Sequence, residues 1–190
     1  MIRSGEVLHN PVTGETVHVV RSAAETDGEY VLVEVGLEPD GFVAATHVHP
    51  YQTEEFEILE GEVGFEADGE TIVAGPGETV VVEPGTAHRF WNNSDVTARF
   101  RCEVRPALRF EELLSTMYAL AADGKTNRKG MPSPLRLAVI AQHHFDDVRL
   151  PFPPVWMQRA GLALGAPIGR LLGFRPVYEA AAPDAAVLAL

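Results

Sequence analysis

The first 106 residues of this chain form a series of short β-prone segments, and this pattern limits its fold more than any other feature. Turns that contain glycine separate many of the segments, as at Asp40-Gly41, Asp68-Gly69 and Gly75-Pro76-Gly77. Many short strands at regular spacing are typical of a β-sandwich or barrel, so we predict an all-β domain. The predicted strands are 6–9, 15–22, 29–38, 42–49, 55–60, 62–67, 70–74, 78–83, 87–92 and 96–105.

The pattern changes to a helical one after Pro106. We predict helices over 109–122, from Ser133 to about His144, and over 154–172, because apolar residues recur there at helical spacing or capping residues mark the ends. In the first helix the apolar positions are Phe110, Leu113, Leu114, Met117, Leu120 and Ala121. The chain therefore divides into a β-barrel domain, 1–106, and a helical extension, 107–190.

The third predicted helix is apolar over much of its surface. Its uncharged stretch between Arg159 and Arg170 has ten residues and contains Pro167, whereas a membrane span needs about 20 apolar residues. We therefore predict no membrane span and expect this helix to pack on the barrel or on a dimer partner, which favours a homodimer. Contact with a membrane surface is the alternative.

The charge of the chain is uneven and excludes some partners. Residues 1–106 carry 20 acidic and 6 basic side chains, whereas residues 107–190 carry 7 and 9. An acidic β domain is a poor surface for a polyanion, so we predict no nucleic-acid binding. Cys102 is the single cysteine, which excludes an internal disulfide, and the N-terminal residues lack the apolar run of a secretion signal. We expect a cytoplasmic protein.

Two histidines and a glutamate stand out between the predicted strands. His47 and His49 are two residues apart, so on a strand they project from the same face. Glu54 shares a face with Phe56 and Ile58, and a lone carboxylate on an apolar face is costly to bury. A metal cation would remove that cost. The segment therefore predicts a buried metal site.

His88 adds a fourth candidate ligand after the turn at Pro84-Gly85, and here the sequence resembles a known family. Two spacings resemble the two motifs of the cupin superfamily, with 15 residues between them: Gly41-x5-His47-x-His49-x4-Glu54-x6-Gly61 and Gly77-x7-Gly85-x2-His88-x3-Asn92. The family usually has proline two residues before the second-motif glycine, where this chain has Glu83 beside Pro84. The resemblance implies a jelly-roll barrel that binds metal through His47, His49, Glu54 and His88.

Three imidazoles and one carboxylate suit a borderline first-row ion and not Ca²⁺ or Mg²⁺. We expect one divalent Fe, Mn, Ni, Co or Zn ion per chain, with one or two coordination positions left for water or substrate. Such an ion can act as a Lewis acid or, if it is iron, manganese or nickel, can activate oxygen. Cupins with this ligand set include dioxygenases, isomerases, decarboxylases and lyases.

The remaining expectations concern the surroundings of the metal. Gln52 lies close enough in sequence to bond a ligand or bound water, and no general base can be named, which favours metal–oxygen chemistry. We predict an apolar pocket for a small aromatic or aliphatic organic compound, lined by Phe56, Ile58, Phe65, Val80, Val82 and Phe90. We interpret two other groups as structural: Arg99 and Arg101 as partners of surface acids, and His9, His18, His143 and His144 as surface or satisfied core residues.

The sequence thus favours a metal-dependent dioxygenase. Two alternatives stay open at this stage: a non-catalytic metal-containing barrel that binds a small molecule, and a Lewis-acid isomerase or lyase. Oxygen consumption separates the first hypothesis from the other two.

Overall fold

A computed structural model describes residues 2–180, and within them it contains ten strands and three α-helices. A short 3-10 helix at Ala23–Thr26 follows the second strand. The strands are β1 (Val7–Asn10), β2 (Glu15–Arg21), β3 (Val31–Leu37), β4 (His47–Val48), β5 (Thr53–Glu60), β6 (Val63–Ala67), β7 (Glu70–Ala74), β8 (Thr79–Val82), β9 (Ala87–Asn92) and β10 (Ala98–Arg105). The helices are α1 (Phe110–Ala122), α2 (Pro134–His143) and α3 (Val155–Leu171).

The strands form two antiparallel sheets. The larger sheet has the order β1-β2-β3-β10-β5-β8, and the smaller has the order β4-β9-β6-β7. Side chains alternate between buried and partly exposed along β3 and β10, as period-2 sequences require. The predicted all-β domain, followed by helices, is confirmed.

One apolar core lies between the two sheets. Phe56 of the larger sheet packs against Phe65 of the smaller, with their ring centroids 5.1 Å apart in an edge-to-face arrangement. Phe90 and Phe100 make a similar pair at 5.4 Å. Gly61 follows β5, and its backbone lies in the left-handed region with a φ of +71°. A Cβ at this position would lie 2.9 Å from the Cα of Ala98, so the turn requires glycine.

The predicted strand 42–49 is wrong over most of its length, because only His47 and Val48 belong to a strand. Phe42 forms an isolated bridge to Trp91, after which the backbone bends at Ala44 and Ala45. The bend turns the carbonyl of Ala45 towards the ring of His47, which donates to it from Nδ1 at 2.8 Å. A side chain that bonds its own local backbone competes with the ladder, and here it replaces strand pairing.

The three helices agree with their predicted ranges to within a few residues. Helices α2 and α3 pack closely, because a Cβ on Gly169 would lie 2.5 Å from the carbonyl oxygen of Leu135. The chain between these helices returns to the β domain, where Val48 and Arg149 exchange two backbone hydrogen bonds of 2.8 and 3.0 Å. The extension is therefore fastened beside His49.

Much of α3 stays exposed on its outer side. Trp156, Leu164 and Leu171 are 71, 73 and 88% exposed, and the predicted homodimer remains a prediction. Across the described part of the chain, none of the helices has both the length and the apolar character that crossing a bilayer requires. The final ten residues of the predicted extension lie outside the described residues.

Candidate metal centre

Neighbouring strands bring His47, His49, Glu54 and His88 together. His47 and His88 are register partners on β4 and β9, and His49 follows β4 directly. Glu54 occupies an inward position of β5, in phase with the buried Phe56 and with the predicted face. Gly85, in the turn before β9, donates its backbone N–H to the carbonyl of His49 at 2.8 Å. The turn therefore forms although Glu83 replaces the usual proline.

The four side chains converge on one point. Their ligand atoms all lie within 4.8 Å of one another. Oε2 of Glu54 is 2.7 Å from Nε2 of His88 and 3.6 Å from Nε2 of His49. His49, Glu54 and His88 are buried, and His47 is partly buried.

Each histidine uses Nδ1 to contact a backbone carbonyl. His47 bonds Ala45 at 2.8 Å, His49 bonds Asp147 at 2.7 Å, and His88 bonds Thr86 at 3.1 Å. A backbone carbonyl only accepts, so Nδ1 carries the proton and Nε2 of each neutral ring keeps its lone pair. The three Nε2 lone pairs are therefore free to bind a cation placed between the four side chains.

This arrangement fits a bound cation. Among residues 2–180, Oε2 of Glu54 and Nε2 of His88 are buried and have no hydrogen-bond partner other than each other. Without a proton between them, two electron-rich atoms at 2.7 Å repel each other. A divalent ion that accepts both lone pairs would remove the repulsion and satisfy both atoms.

The protonation states of Glu54 and His47 suit metal ligands. Burial lowers the pKa of His88, but the contact with Glu54 outweighs it and raises this pKa, so an ion would have to displace a proton there. Burial alone would raise the pKa of Glu54, but the neighbouring imidazoles, first His49 and then His88, lower it to about 2. Burial lowers the pKa of His47 to about 3, and the nearby His88 and His49 lower it further. At neutral pH the site therefore offers an ionised carboxylate and a neutral His47 imidazole.

Gln52 holds His49 in place, as its position in the sequence suggested. Its Oε1 accepts from Nδ1 of His49 at 3.0 Å, and its Nε2 donates to the carbonyls of Pro106 and Ala107 at 3.0 and 3.1 Å. Gln52 thus connects a ligand to the start of the helical extension. Such outer contacts orient metal-binding histidines.

Three of the four residues, His47, His49 and Glu54, line a cavity of about 540 Å³ between the β domain and the helices, and His88 is buried behind them. Phe56 and Phe90 line it as predicted. Four predicted lining residues do not, because their side chains are packed within the core between the sheets: Ile58, Phe65, Val80 and Val82. The helical extension supplies much of the wall instead, including Phe110, Leu114, Met117, Met131 and Leu137.

Glu15 is a cavity residue that the sequence analysis missed. It is buried, and its Oε2 accepts from the Thr13 hydroxyl at 2.6 Å. Burial raises its pKa to about 7, against the opposing effect of hydrogen bonds from Thr13 and Tyr118. The sequence did indicate that Glu15 is buried, because it shares a strand face with Val17 and Val19, which are both buried. A carboxyl group that titrates near neutral pH is suited to proton transfer.

The other interpreted residues are placed as follows. Arg99 pairs with Glu34 and Glu60, and Arg101 lies 3.6 Å from Glu34 and Glu57, all at the surface of the larger sheet. Unlike Arg99 and Arg101, Arg149 lines the cavity, and its guanidinium lies 5.9 Å from the ring centroid of Phe145. Cys102 is a buried free thiol whose pKa is raised well above its usual range by burial.

Comparison with known proteins gives one family and several relatives. Residues 33–104 match the family described as Cupin domain. Quercetin 2,3-dioxygenase of Bacillus subtilis (strain 168) is 29% identical over an alignment of 134 residues, and the alignment covers 57% of this chain and 39% of that protein. The chain therefore spans about two fifths of the curated relative it matches.

Solved structures resemble this chain over somewhat more than half of its length at low identity. A predicted oxalate decarboxylase from Thermotoga maritima has a TM-score of 0.49 and 19% identity, covering 56% of this chain and 98% of its own. KdgF from Halomonas sp. has a TM-score of 0.49 and 15% identity, covering 58% and 94%. An RmlC-like cupin from Shewanella frigidimarina has a TM-score of 0.48 and 16% identity, covering 56% and 88%.

Proposed function

Residues 33–104 form a cupin superfamily domain, and from that premise we propose that this chain is a metal-dependent dioxygenase acting on a small aromatic compound. One observation carries the proposal: three imidazoles and a carboxylate converge on one point, and two of these imidazoles and the carboxylate line a largely apolar cavity. When bound there, a first-row ion would supply Lewis acidity and, if it is iron, manganese or nickel, the capacity to activate oxygen.

The side chains of the chain itself would bind and orient the substrate. A cavity of about 540 Å³ is within the usual range for small-molecule sites, roughly 300–1,000 Å³. Phe56, Phe90 and Phe110 give it aromatic walls, against which a planar ring can pack. Arg149 provides a cation in the same lining, suited to a phenolate or carboxylate on the substrate.

The helical extension would keep water from the reacting groups. Helices α1, α2 and α3 all contribute lining residues, and the Asp147 carbonyl bonds the ligand His49 directly. Excluding water strengthens every electrostatic interaction in a site and protects reactive species. The extension thus serves as a roof over the metal centre.

The curated relative suggests the first compound to try. That protein is named a quercetin 2,3-dioxygenase, and quercetin is a planar aromatic molecule with phenolic groups, which suits aromatic walls and a cation. We take flavonols and smaller phenols as the first substrate classes.

Oxygen uptake tests the proposal. The protein is purified with chelator, loaded separately with Fe(II), Mn(II), Ni(II), Co(II) or Zn(II), and assayed in an oxygen electrode with quercetin and a panel of simpler phenols. We expect uptake with at least one redox-active metal, its loss in the His47→Ala/His49→Ala variant, and its retention in the His18→Ala control, which alters an exposed histidine. Absence of uptake with every metal and compound would refute the dioxygenase proposal.

A second candidate is a Lewis-acid isomerase or lyase, and Glu15 is the observation that favours it. The absence of a nameable base supported oxygen chemistry in the sequence analysis, but Glu15 and Tyr118 place proton-transfer groups in the cavity wall. Product formation under nitrogen that is lost in Glu15→Gln would support this candidate. A ligand that binds tightly and is never consumed would instead indicate a binding protein.

A further inference from the structure

A second group of metal-ligating side chains lies in the helical extension. Glu112 comes from the first turn of α1, His143 is the last residue of α2, and His144 follows it. Their ligand atoms all lie within 4.8 Å of one another. Oε1 of Glu112 is 2.6 Å from Nε2 of His143 and 3.6 Å from Nε2 of His144.

His144 is the residue that points to a bound ion. It is fully buried, and its Nδ1 lies 3.1 Å from Oδ2 of Asp147. Within the described part of the chain, its Nε2 has no hydrogen-bond partner. The expectation that His144 is a satisfied core residue is therefore not met. A buried ring nitrogen without a partner is destabilising unless something on that side accepts its lone pair.

The contacts around His144 are those of a metal ligand. A metal-bound histidine typically donates its other ring nitrogen to a carboxylate, which fixes the ring and makes the ligating nitrogen more basic. Asp147 is in that position, and Nε of Arg109 donates to the same Oδ2 at 2.9 Å. His144 is thus oriented with Nε2 towards Glu112.

An ion pair between Glu112 and His143 would not give Nε2 of His144 a hydrogen-bond partner. Both side chains are about one third exposed, so water could serve them, but neither hydrogen-bonds Nε2 of His144. The C-terminal end of α2 lies at His143, and the negative end of the helix dipole at that position favours a cation. A cation between the three side chains would satisfy all of them.

We propose that Glu112, His143 and His144 form a second metal site, separate from the one in the β domain. Two imidazoles and one carboxylate suit zinc or a similar first-row ion, with a fourth position open to water on the exposed side. The ion joins α1 to the end of α2. It thereby fixes residues 144–147, and the carbonyl of Asp147 in this segment accepts the Nδ1–H of His49. The second site supports the geometry of the first.

Zinc stoichiometry tests this site without reference to enzymatic activity. Untagged protein is stripped with chelator, titrated with zinc in a calorimeter, and analysed for metal after dialysis. We expect about two tightly bound zinc ions per chain in the wild type and about one in His143→Ala or Glu112→Gln. These variants alter partly exposed side chains, so the test does not depend on replacing the buried His144. The exposed His18→Ala control should retain both ions.

A barrel-site variant separates this proposal from the proposed function. His47→Ala/His49→Ala should still bind about one zinc ion, which should raise its melting temperature, and both effects should vanish when His143→Ala is added. Cobalt in place of zinc should give the intense visible absorption of a four-coordinate site in the same variant. A His47→Ala/His49→Ala protein that binds no zinc, or a His143→Ala protein that keeps two ions, would overturn the second site.

Discussion

Replacing Glu15 with glutamine should make the stability of this protein less dependent on pH. Glutamine keeps the size and the acceptor oxygen of Glu15 but has no proton to release. In the folded chain Glu15 is buried with the hydroxyl of Thr13 at 2.6 Å, and burial raises its pKa from 4.5 to about 7. In the unfolded chain the same group has its ordinary pKa.

The sign follows from proton binding in the two states. Below about pH 4.5 both states hold the proton, so Glu15 adds no pH dependence. As the pH rises, the unfolded chain releases the proton first, and the free energy of unfolding falls until the folded group also ionises near pH 7. A raised carboxyl pKa therefore destabilises the fold at higher pH. The shift corresponds to about 3 kcal/mol, at roughly 1.4 kcal/mol per pKa unit.

Urea unfolding followed by circular dichroism measures this effect. Wild type and Glu15→Gln are compared at intervals from pH 4 to pH 8 in the presence of chelator, so that metal binding does not contribute. The free-energy difference between them should change by about 3 kcal/mol in favour of the variant over this range. Glu55→Gln, which alters an exposed residue of β5, is the matched control and should show no such change. A difference that stays constant with pH would refute the assignment of Glu15 as a buried acid.

Three further predictions concern other parts of the molecule. Gln52→Leu removes a hydrogen bond to His49 and should weaken metal binding about 10–100-fold in calorimetry. Gln142→Leu, the control, removes a hydrogen bond to the backbone of Leu162 and should leave the affinity unchanged. Equal affinities of the two variants would contradict the role of Gln52 in orienting His49. Gly169→Ala should destabilise the protein by about 1–3 kcal/mol in thermal unfolding, because α2 leaves no room for a Cβ at this position. Gly161→Ala, the control on the same helix, faces open space and should not destabilise it. Equal melting temperatures of the two variants would contradict the close packing of α2 and α3. Leu164→Asp should convert a homodimer to a monomer in sedimentation velocity, and a wild type that is itself monomeric would contradict the predicted dimer.

The sequence predicted the order and limits of the elements well, because their signals are local. Alternation along β3 and β5, glycine turns, and Ser133-Pro134 before α2 each depend on a few neighbouring residues. The exception, the segment before His47, bends because a side chain bonds the backbone nearby, and alternation carries no information on that contact.

The cavity was harder to predict, because its wall depends on how the helices meet the β domain. The motif spacing identified the four residues that converge, but it did not separate Phe56, which borders the cavity, from Ile58, which is packed in the core. Glu15 broke an apolar alternation and could have been found from that pattern alone. The unpaired nitrogen of His144 could not, because it depends on the meeting of α1 and α2.

Anomalous diffraction at a metal absorption edge tests most directly whether His47, His49, Glu54 and His88 bind one divalent ion. In crystals grown with the metal that supports activity or binds most tightly, we predict one strong peak between these four side chains, about 2.0–2.2 Å from the three Nε2 atoms and from a carboxylate oxygen of Glu54. A site between these four side chains that shows only water with each of the five metals would contradict the proposed metal centre.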